Sequence, residues 1–323
     1  MRRWALGLIC CLLQLKVDVP LVNVVATITD DKGRYVANLS PDDLIVEEDG
    51  EPQTIAHFTQ ARDLPVSVGI VLDTSASMEP KISTATSAVE HFIRTIHADD
   101  DVFLMTFSTL PVLQQDFTSD REKLARVLRG RGVHGSTALY DALVAGLRKI
   151  KSGKHQKKAI LLISDGDDTL SSNSFESAAL AVRESELLVY ALGIAPSGLG
   201  TISEPPTAKG SAESVDMEVL HAFADSSGGK AWLVSGQKDS RTNQIQEALD
   251  EIASELRNQY SIGYYPTHPL NDGKWHRIRI RLKNPQYQVR ARKEYYGGDG
   301  ECPYLPFFSP CQPLFAPQQL KDR

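Results

Sequence analysis

Cysteine is nearly missing from this chain. Its 323 residues include four, and all lie at the ends: Cys10 and Cys11 near the start, Cys302 and Cys311 near the finish. No disulfide framework can form between them, so the fold must rest on its apolar core. For the last two, a bridge and a pair of free thiols both fit an oxidising compartment. Basic charge is also in deficit, with 35 Lys and Arg against 41 Asp and Glu and a net charge of -6. That argues against nucleic acid as the main partner, which would require a basic field. The apolar stretch Trp4–Leu13, after two arginines, is too short to span a bilayer comfortably. It reads as a signal peptide or a membrane anchor, so 1–15 is expected to be a leader and the protein to work outside the cytoplasm.

Catalytic strings are missing as well. There is no Gly-x-Ser-x-Gly elbow, no Gly-x4-Gly-Lys phosphate loop and no His-Glu-x-x-His. Gly130-x-Gly132-x-x-Gly135 fits the dinucleotide pattern as a string, but it follows a helical segment rather than a strand. Asp73 lacks the second aspartate two residues on that a haloacid-dehalogenase-like phosphatase would need. Hydrolysis at a metal is therefore the remote alternative.

What is present is a large apolar fraction, 41% against 24% charged, enough for a sizeable core. From about 65 to 260, short continuous apolar runs alternate with helical periods. "VSVGIVLD", "DVFLMTFS", "KKAILLISD", "ELLVYALGIA" and "KAWLVSG" read as strands buried on both faces. "KISTATSAVEHFIRTIH", "SDREKLARVLR", "ALYDALVAGLRKI", "SFESAALAVRES" and residues 242–258 read as helices. This predicts an α/β domain with an open, doubly wound, mostly parallel sheet over 63–260.

The flanks have a different texture. "LVNVVATITDDKGRYV" reads as strand, turn and strand, and "DDLIVEEDGEPQTIAHF" as a hairpin bending at Asp49-Gly50. Later, "WHRIRIRLK" alternates apolar and basic residues after an Asn271-Asp272-Gly273 turn, and "YQVRARKEYY" reads as a further strand. The helix at 242–258 should end near where the first strand begins, so the chain enters and leaves the α/β domain at one pole. An acidic N-terminal piece (16–62) and a basic C-terminal piece (261–297) would then neutralise each other in one small β-sandwich, with the α/β domain inserted in it. Residues 298–323 form a Pro-rich tail without periodicity, expected to be disordered.

Three loops converge on the C-terminal edge of the predicted sheet, where this architecture binds ligands. The first strand runs into Asp73-x-Ser75-x-Ser77, the fourth ends at Asp165-Gly166-Asp167-Asp168, and Gly135-Ser136-Thr137 precedes a helix. Asp73, Ser75, Ser77, Thr137 and Asp165 offer only oxygen donors, a set suited to Mg²⁺ or Mn²⁺ rather than to zinc. With three neutral oxygens and at most two carboxylates, a bound dication stays under-neutralised, and a helix starting after Ser77 would add its positive end. Such a site should seek a partner's Asp or Glu.

Asp-x-Ser-x-Ser after the first strand, the Gly-x-Thr loop and the Asp-Gly after the fourth strand resemble the metal-ion-dependent adhesion site of von Willebrand factor type A domains, also carried by integrin inserted domains. The flanking segments resemble bacterial, acidobacterial-type proteins related to that family. The resemblance implies that Ser75, Ser77 and Thr137 contact the metal, with Asp73 and Asp165 close or acting through water. It implies an adhesion or interaction module that captures an acidic residue of a protein or peptide ligand and performs no chemistry. It also implies a last helix able to slide as a switch. The alternative is a scaffolding module of the cell envelope whose metal stiffens the loops.

Other polar features have plainer readings. Asp167 and Asp168 read as solvated loop acids, and His134 as a surface histidine. The basic strand reads as half-buried with a solvated face. The loop "GTISEPPTAKGSAESVD" leaves the sheet at the site edge and could help choose the ligand.

Overall fold

Apolar runs with no polar alternation become interior strands covered on both faces. The computed structural model describes residues 21–60, 64–129, 132–195, 215–235 and 242–298. The expectations for the leader, the four cysteines, residues 299–323 of the tail and residues 200–214 lie outside them. The chain opens with β1 (Val22–Thr29), β2 (Leu44–Glu48), β3 (Glu51–Gln53) and β4 (Ile55–Gln60). The α/β part follows as β5 (Val66–Asp73), α1 (Ile82–Thr95), β6 (Asp101–Phe107), β7 (Pro111–Thr118), α2 (Arg121–Leu128), α3 (Leu139–Ile150), β8 (Lys157–Ser164) and α4 (Phe175–Ser185). It continues with β9 (Leu188–Ala195), α5 (Met217–Ser227), β10 (Ala231–Ser235) and α6 (Thr242–Arg257). Then come β11 (Tyr260–Tyr264), β12 (Lys274–Leu282), β13 (Gln288–Ala291) and β14 (Glu294–Gly297).

The central sheet has the order β10-β9-β8-β5-β6-β7, parallel throughout except for β7, which runs antiparallel to β6. Every position of β5 is buried. Its Val68, Ile70 and Leu72 pack with Phe92 and Ile93 of α1, Leu124 of α2 and Leu249 of α6. Val71 enters the opposite layer with Leu143 and Leu147 of α3, Val182 of α4 and Phe223 of α5. The fold is thus mixed α/β with a mostly parallel sheet between two helical layers. Among the described residues, no helix is long and apolar enough to cross a membrane.

The flanks form two antiparallel sheets, β13-β1-β11-β4 and β14-β12-β2-β3. Strands from the two ends of the chain interleave: β1 lies between β11 and β13, and β12 lies between β14 and β2. Val24, Ile28 and Val46 from the first flank share one core with Ile262, Tyr264, Ile278 and Tyr295 from the second. The bend at Asp49-Gly50 has positive φ at both residues, 51° and 91°, as a tight two-residue hairpin requires. Glu47 and Arg281 form an ion pair across β2 and β12, so the charge complementarity is realised between neighbouring strands.

Two strand expectations change. "RYV" contributes only an isolated bridge, Thr29 to Tyr35. The left-handed Asn38 (φ 63°) then turns the chain away before a ladder can extend. "YQVRARKEYY" is not one strand. It changes sheets at Arg292-Lys293, β13 pairing with β1 and β14 with β12.

The α/β part joins the sandwich at one pole. Arg257, the last residue of α6, donates from Nη1 to the carbonyl of Leu64 (2.7 Å), just before β5. Glu255, two residues from the end of α6, is buried and accepts hydrogen bonds from Thr27 Oγ1 in β1 (3.0 Å) and Tyr190 OH in β9 (2.8 Å). It also pairs with Arg290 of β13. One carboxylate thereby ties the last helix to both sheet systems.

Candidate metal and ligand site

The end of β5 is held open by backbone bonds that leave side-chain oxygens free to gather. Thr74 caps the edge of β6, donating from N (2.7 Å) and Oγ1 (2.9 Å) to the carbonyl of Phe107. Ser75 then starts a single 3₁₀ turn, Ala76–Met78. The expected helix start after Ser77 is therefore only this turn. α1 begins at Ile82, so its positive end lies further along the chain than anticipated.

The loop 134–138 is stapled on both sides. His134 N donates to Thr74 O and Ala76 N to Gly135 O, each at 3.1 Å. Thr137 O accepts from Thr169 N (2.8 Å) and Leu170 N (3.0 Å), while Thr137 N donates to Thr169 Oγ1 (2.9 Å). The three predicted loops thus meet at one edge of the sheet.

Asp73, Ser75, Thr137 and Asp165 are buried and Ser77 is half-buried. Asp73 accepts from Ser75 N (2.8 Å) and from Ser164 Oγ (2.7 Å), and the hydroxyls of Ser75 and Ser77 lie 3.0 Å apart. Burial, then the neighbouring carboxylate of Asp165, pushes the Asp73 carboxyl up to about 6. Thr137 is tied by its backbone to Thr169 and Leu170, just past Asp165. Its side chain makes none of the described hydrogen bonds to the other four.

Asp165 carries a feature that sequence reading missed. Its Oδ2 accepts from Lys81 Nζ at 2.8 Å, and neither side chain reaches solvent. A lysine just before an amphipathic helix looks like a surface cation, and nothing in "MEPKI" marks it as buried. Its placement follows from the 3₁₀ turn, which swings Lys81 under the loop. Ser164 was also missed, although it is the residue immediately before Asp165. Gly166 has φ 86°, and a Cβ there would collide with the carbonyl of Asp216. That close approach lets Asp216 N donate to Asp165 O (2.7 Å) while its side chain caps α5 through Val219 N.

Of the plainer readings, His134 is exposed, as expected. Asp168 is not a solvated acid. It is half-buried and accepts from Tyr140 N (3.3 Å) at the start of α3 and from Ser171 Oγ (2.5 Å). Asp167 is half-buried too, and burial, then Asp165 and Asp216, raise its carboxyl. The rim is partly apolar. Leu110, in the turn whose Ser108 O accepts from Ala138 N, is 67% exposed, and Leu170, beside Thr137, is 48% exposed.

The donor atoms are oxygens only, a chemistry suited to a hard dication, with burial and Asp165 raising the Asp73 carboxyl while Asp165 Oδ2 is itself held by Lys81.

Residues 68–167 match the family model for the von Willebrand factor type A domain. That segment runs from β5 to just past β8 and includes all five candidate residues. No curated protein matches the chain. Among solved structures, the chain is similar to the conserved hypothetical protein BatB from Bacteroides thetaiotaomicron, at 20% identity over 59% of this chain and 98% of that one, with a TM-score of 0.47. It is also similar to the vWF domain of the type V pili tip protein Mfa5 from Porphyromonas gingivalis, at 13% identity over 60% and 95% of the two chains, TM-score 0.45. A von Willebrand factor type A protein from Catenulispora acidiphila matches at 13% identity over 87% and 74%, TM-score 0.46.

Proposed function

We propose that the protein is a divalent-cation-dependent binding module outside the cytoplasm, which captures an acidic residue of a protein or peptide partner and performs no chemistry. Asp73, Ser75, Ser77, Thr137 and Asp165 would hold Mg²⁺ or Mn²⁺, and the ion would supply an electrophilic seat for a carboxylate. The observation that carries this reading is the gathering of the Asp73, Ser75, Ser77 and Asp165 oxygens at the end of β5, where burial and Asp165 raise the Asp73 carboxyl. With Lys81 present, Asp73 and Asp165 contribute only one net negative charge, and a dication leaves the site positive. A partner's carboxylate completes the balance. Leu110 and Leu170 offer apolar surface beside it, which suits a protein ligand better than a free anion. In this reading 63–260 is the binding domain, and 16–62 with 261–297 is the sandwich that presents it.

Lys81 also favours one competitor. An internal cation already neutralises Asp165, as a scaffolding module without an open metal position would need. Calorimetric titration of Mg²⁺ and Mn²⁺ into chelator-stripped protein, beside Asp73→Ala, separates the two. Saturable binding lost in the variant, together with acetate binding only when metal is present, supports the adhesion reading. Metal binding without any carboxylate binding leaves the scaffold.

A further inference from the structure

A second cluster of ligand-capable atoms lies in the sandwich, built from parts of the chain more than 200 residues apart. Glu48 ends β2 and Asp49 forms the hairpin bend. The connection between β11 and β12 brings His268, and β12 itself brings His276. His268 Nε2 lies 3.0 Å from Glu48 Oε1, 2.6 Å from His276 Nδ1 and 3.6 Å from Asp49 Oδ2. His276 Nδ1 lies 2.8 Å from Asp49 Oδ2. The ligand atoms of Glu48, His268 and His276 all fall within 4.8 Å of one another.

Three features ask for a cation here. The Glu48 side chain is fully buried. Its Oε2 accepts from Tyr264 OH, and its Oε1 lies 3.0 Å from His268 Nε2. A carboxylate that deeply buried is costly unless a cation stands beside it. Next, two imidazole nitrogens face each other at 2.6 Å with two carboxylates around them. A metal would satisfy the lone pairs of Glu48, His268 and His276 at once. Finally, His276 Nε2 is 3.1 Å from Asp272 Oδ1. In the neutral ring a carboxylate there would hold the proton on Nε2 and leave the Nδ1 lone pair facing inward, the outer-shell arrangement of metal-bound histidines. In a tetrahedral shell with metal–ligand distances of about 2.0–2.2 Å, donors stand roughly 3.3–3.6 Å apart. The shorter contacts reach that spacing by opening less than about 1 Å.

We propose that Glu48, Asp49, His268 and His276 form a binding site for a divalent transition metal of the zinc class, which staples the N-terminal hairpin to the C-terminal β11–β12 connection. Imidazole and carboxylate donors favour Zn²⁺ or Co²⁺ over Mg²⁺, whereas the oxygen-only loops at Asp73 favour Mg²⁺. The two sites are thus separable by metal, and the inference stands or falls apart from the proposed function.

The test uses the full chain, stripped with chelator and kept in saturating Mg²⁺. Co²⁺ should bind at one equivalent with intense visible ligand-field absorption and be displaced by Zn²⁺. His268→Gln changes a side chain that is 27% exposed, so it should fold; it should weaken Zn²⁺ binding at least tenfold. Asp272→Asn should weaken it about 10–100-fold. Asp73→Ala should leave it unchanged. Two results would overturn the site: no stoichiometric Co²⁺ or Zn²⁺ binding by the wild-type chain, or unchanged affinity in folded His268→Gln. The first, with both ring nitrogens of His276 protonated by NMR, would assign the cluster to an imidazolium between Asp49 and Asp272.

Discussion

Lys81 Nζ and Asp165 Oδ2 form a salt bridge of 2.8 Å that water does not reach. Both charges have lost their hydration, so each depends on the other, and removing one leaves the other stranded. Lys81→Met should therefore destabilise the metal-free protein by about 3–5 kcal/mol in urea unfolding. Millimolar Mg²⁺ should restore part of that loss, because a dication beside Asp165 replaces the missing charge. An equal loss with and without Mg²⁺ would place Asp165 out of reach of any bound ion.

Asp73 predicts the opposite trade. Its folded-state carboxyl lies at about 6, above the unfolded value, because burial and Asp165 oppose ionisation. The stabilisation it gives is therefore complete below about pH 4 and is lost as pH rises through 6. Asp73→Asn keeps acceptor and donor groups for Ser75 N and Ser164 Oγ while removing the charge. It should stabilise the stripped protein at pH 7 by on the order of 1–3 kcal/mol, read as a higher Tm. It should also flatten the fall in stability between pH 4 and 7 and abolish Mg²⁺ binding. In the wild-type chain Mg²⁺ affinity should drop about tenfold per pH unit below 6. A variant less stable than wild type at pH 7 would refute the repulsion argument.

Glu255 is the third test. Replacing it with alanine leaves Arg290, Thr27 Oγ1 and Tyr190 OH without their shared acceptor, a loss of about 3 kcal/mol or more. If α6 is fixed to the flank through this carboxylate, hydrogen exchange in both α6 and β1 should quicken together. Faster exchange confined to α6 would show that the joint does not couple them.

Interleaving of the flanks predicts how the chain divides. A fragment of 62–260 should fold and keep the Mg²⁺ site, since its two core layers are formed almost wholly within that span. Residues 16–60 alone should not fold, because β1 has both its strand neighbours, β11 and β13, in the other flank. Dispersed amide shifts from isolated 16–60 would contradict this.

The parallel strands were legible because a strand buried on both faces has no polar alternation to blur it, as in β5. β7 was not. It is an edge strand that mixes inward Leu113 and Phe117 with Gln114, Gln115 and Asp116, so no single period dominates. α5 was missed because "MEVLHAFADSS" follows a long loop-like stretch with no break in composition. The break in "YQVRARKEYY" is tertiary: two backbone positions cross between sheets, and neighbours far along the chain decide where. The oxygen donors were legible because their spacing at strand ends is local. Lys81 and the Glu48–His268–His276 cluster were not, since each depends on which distant segment packs against it.

The pole where Arg257 meets Leu64 has a mechanical consequence. Asp73 sits at the opposite end of β5 from that joint, on the order of 23 Å away along the strand. A tug on a partner held at Asp73, as proposed above, would run lengthwise through β5 where the sandwich resists it. It loads the ladders with β6 and β8 side by side, in shear, instead of peeling one bond at a time.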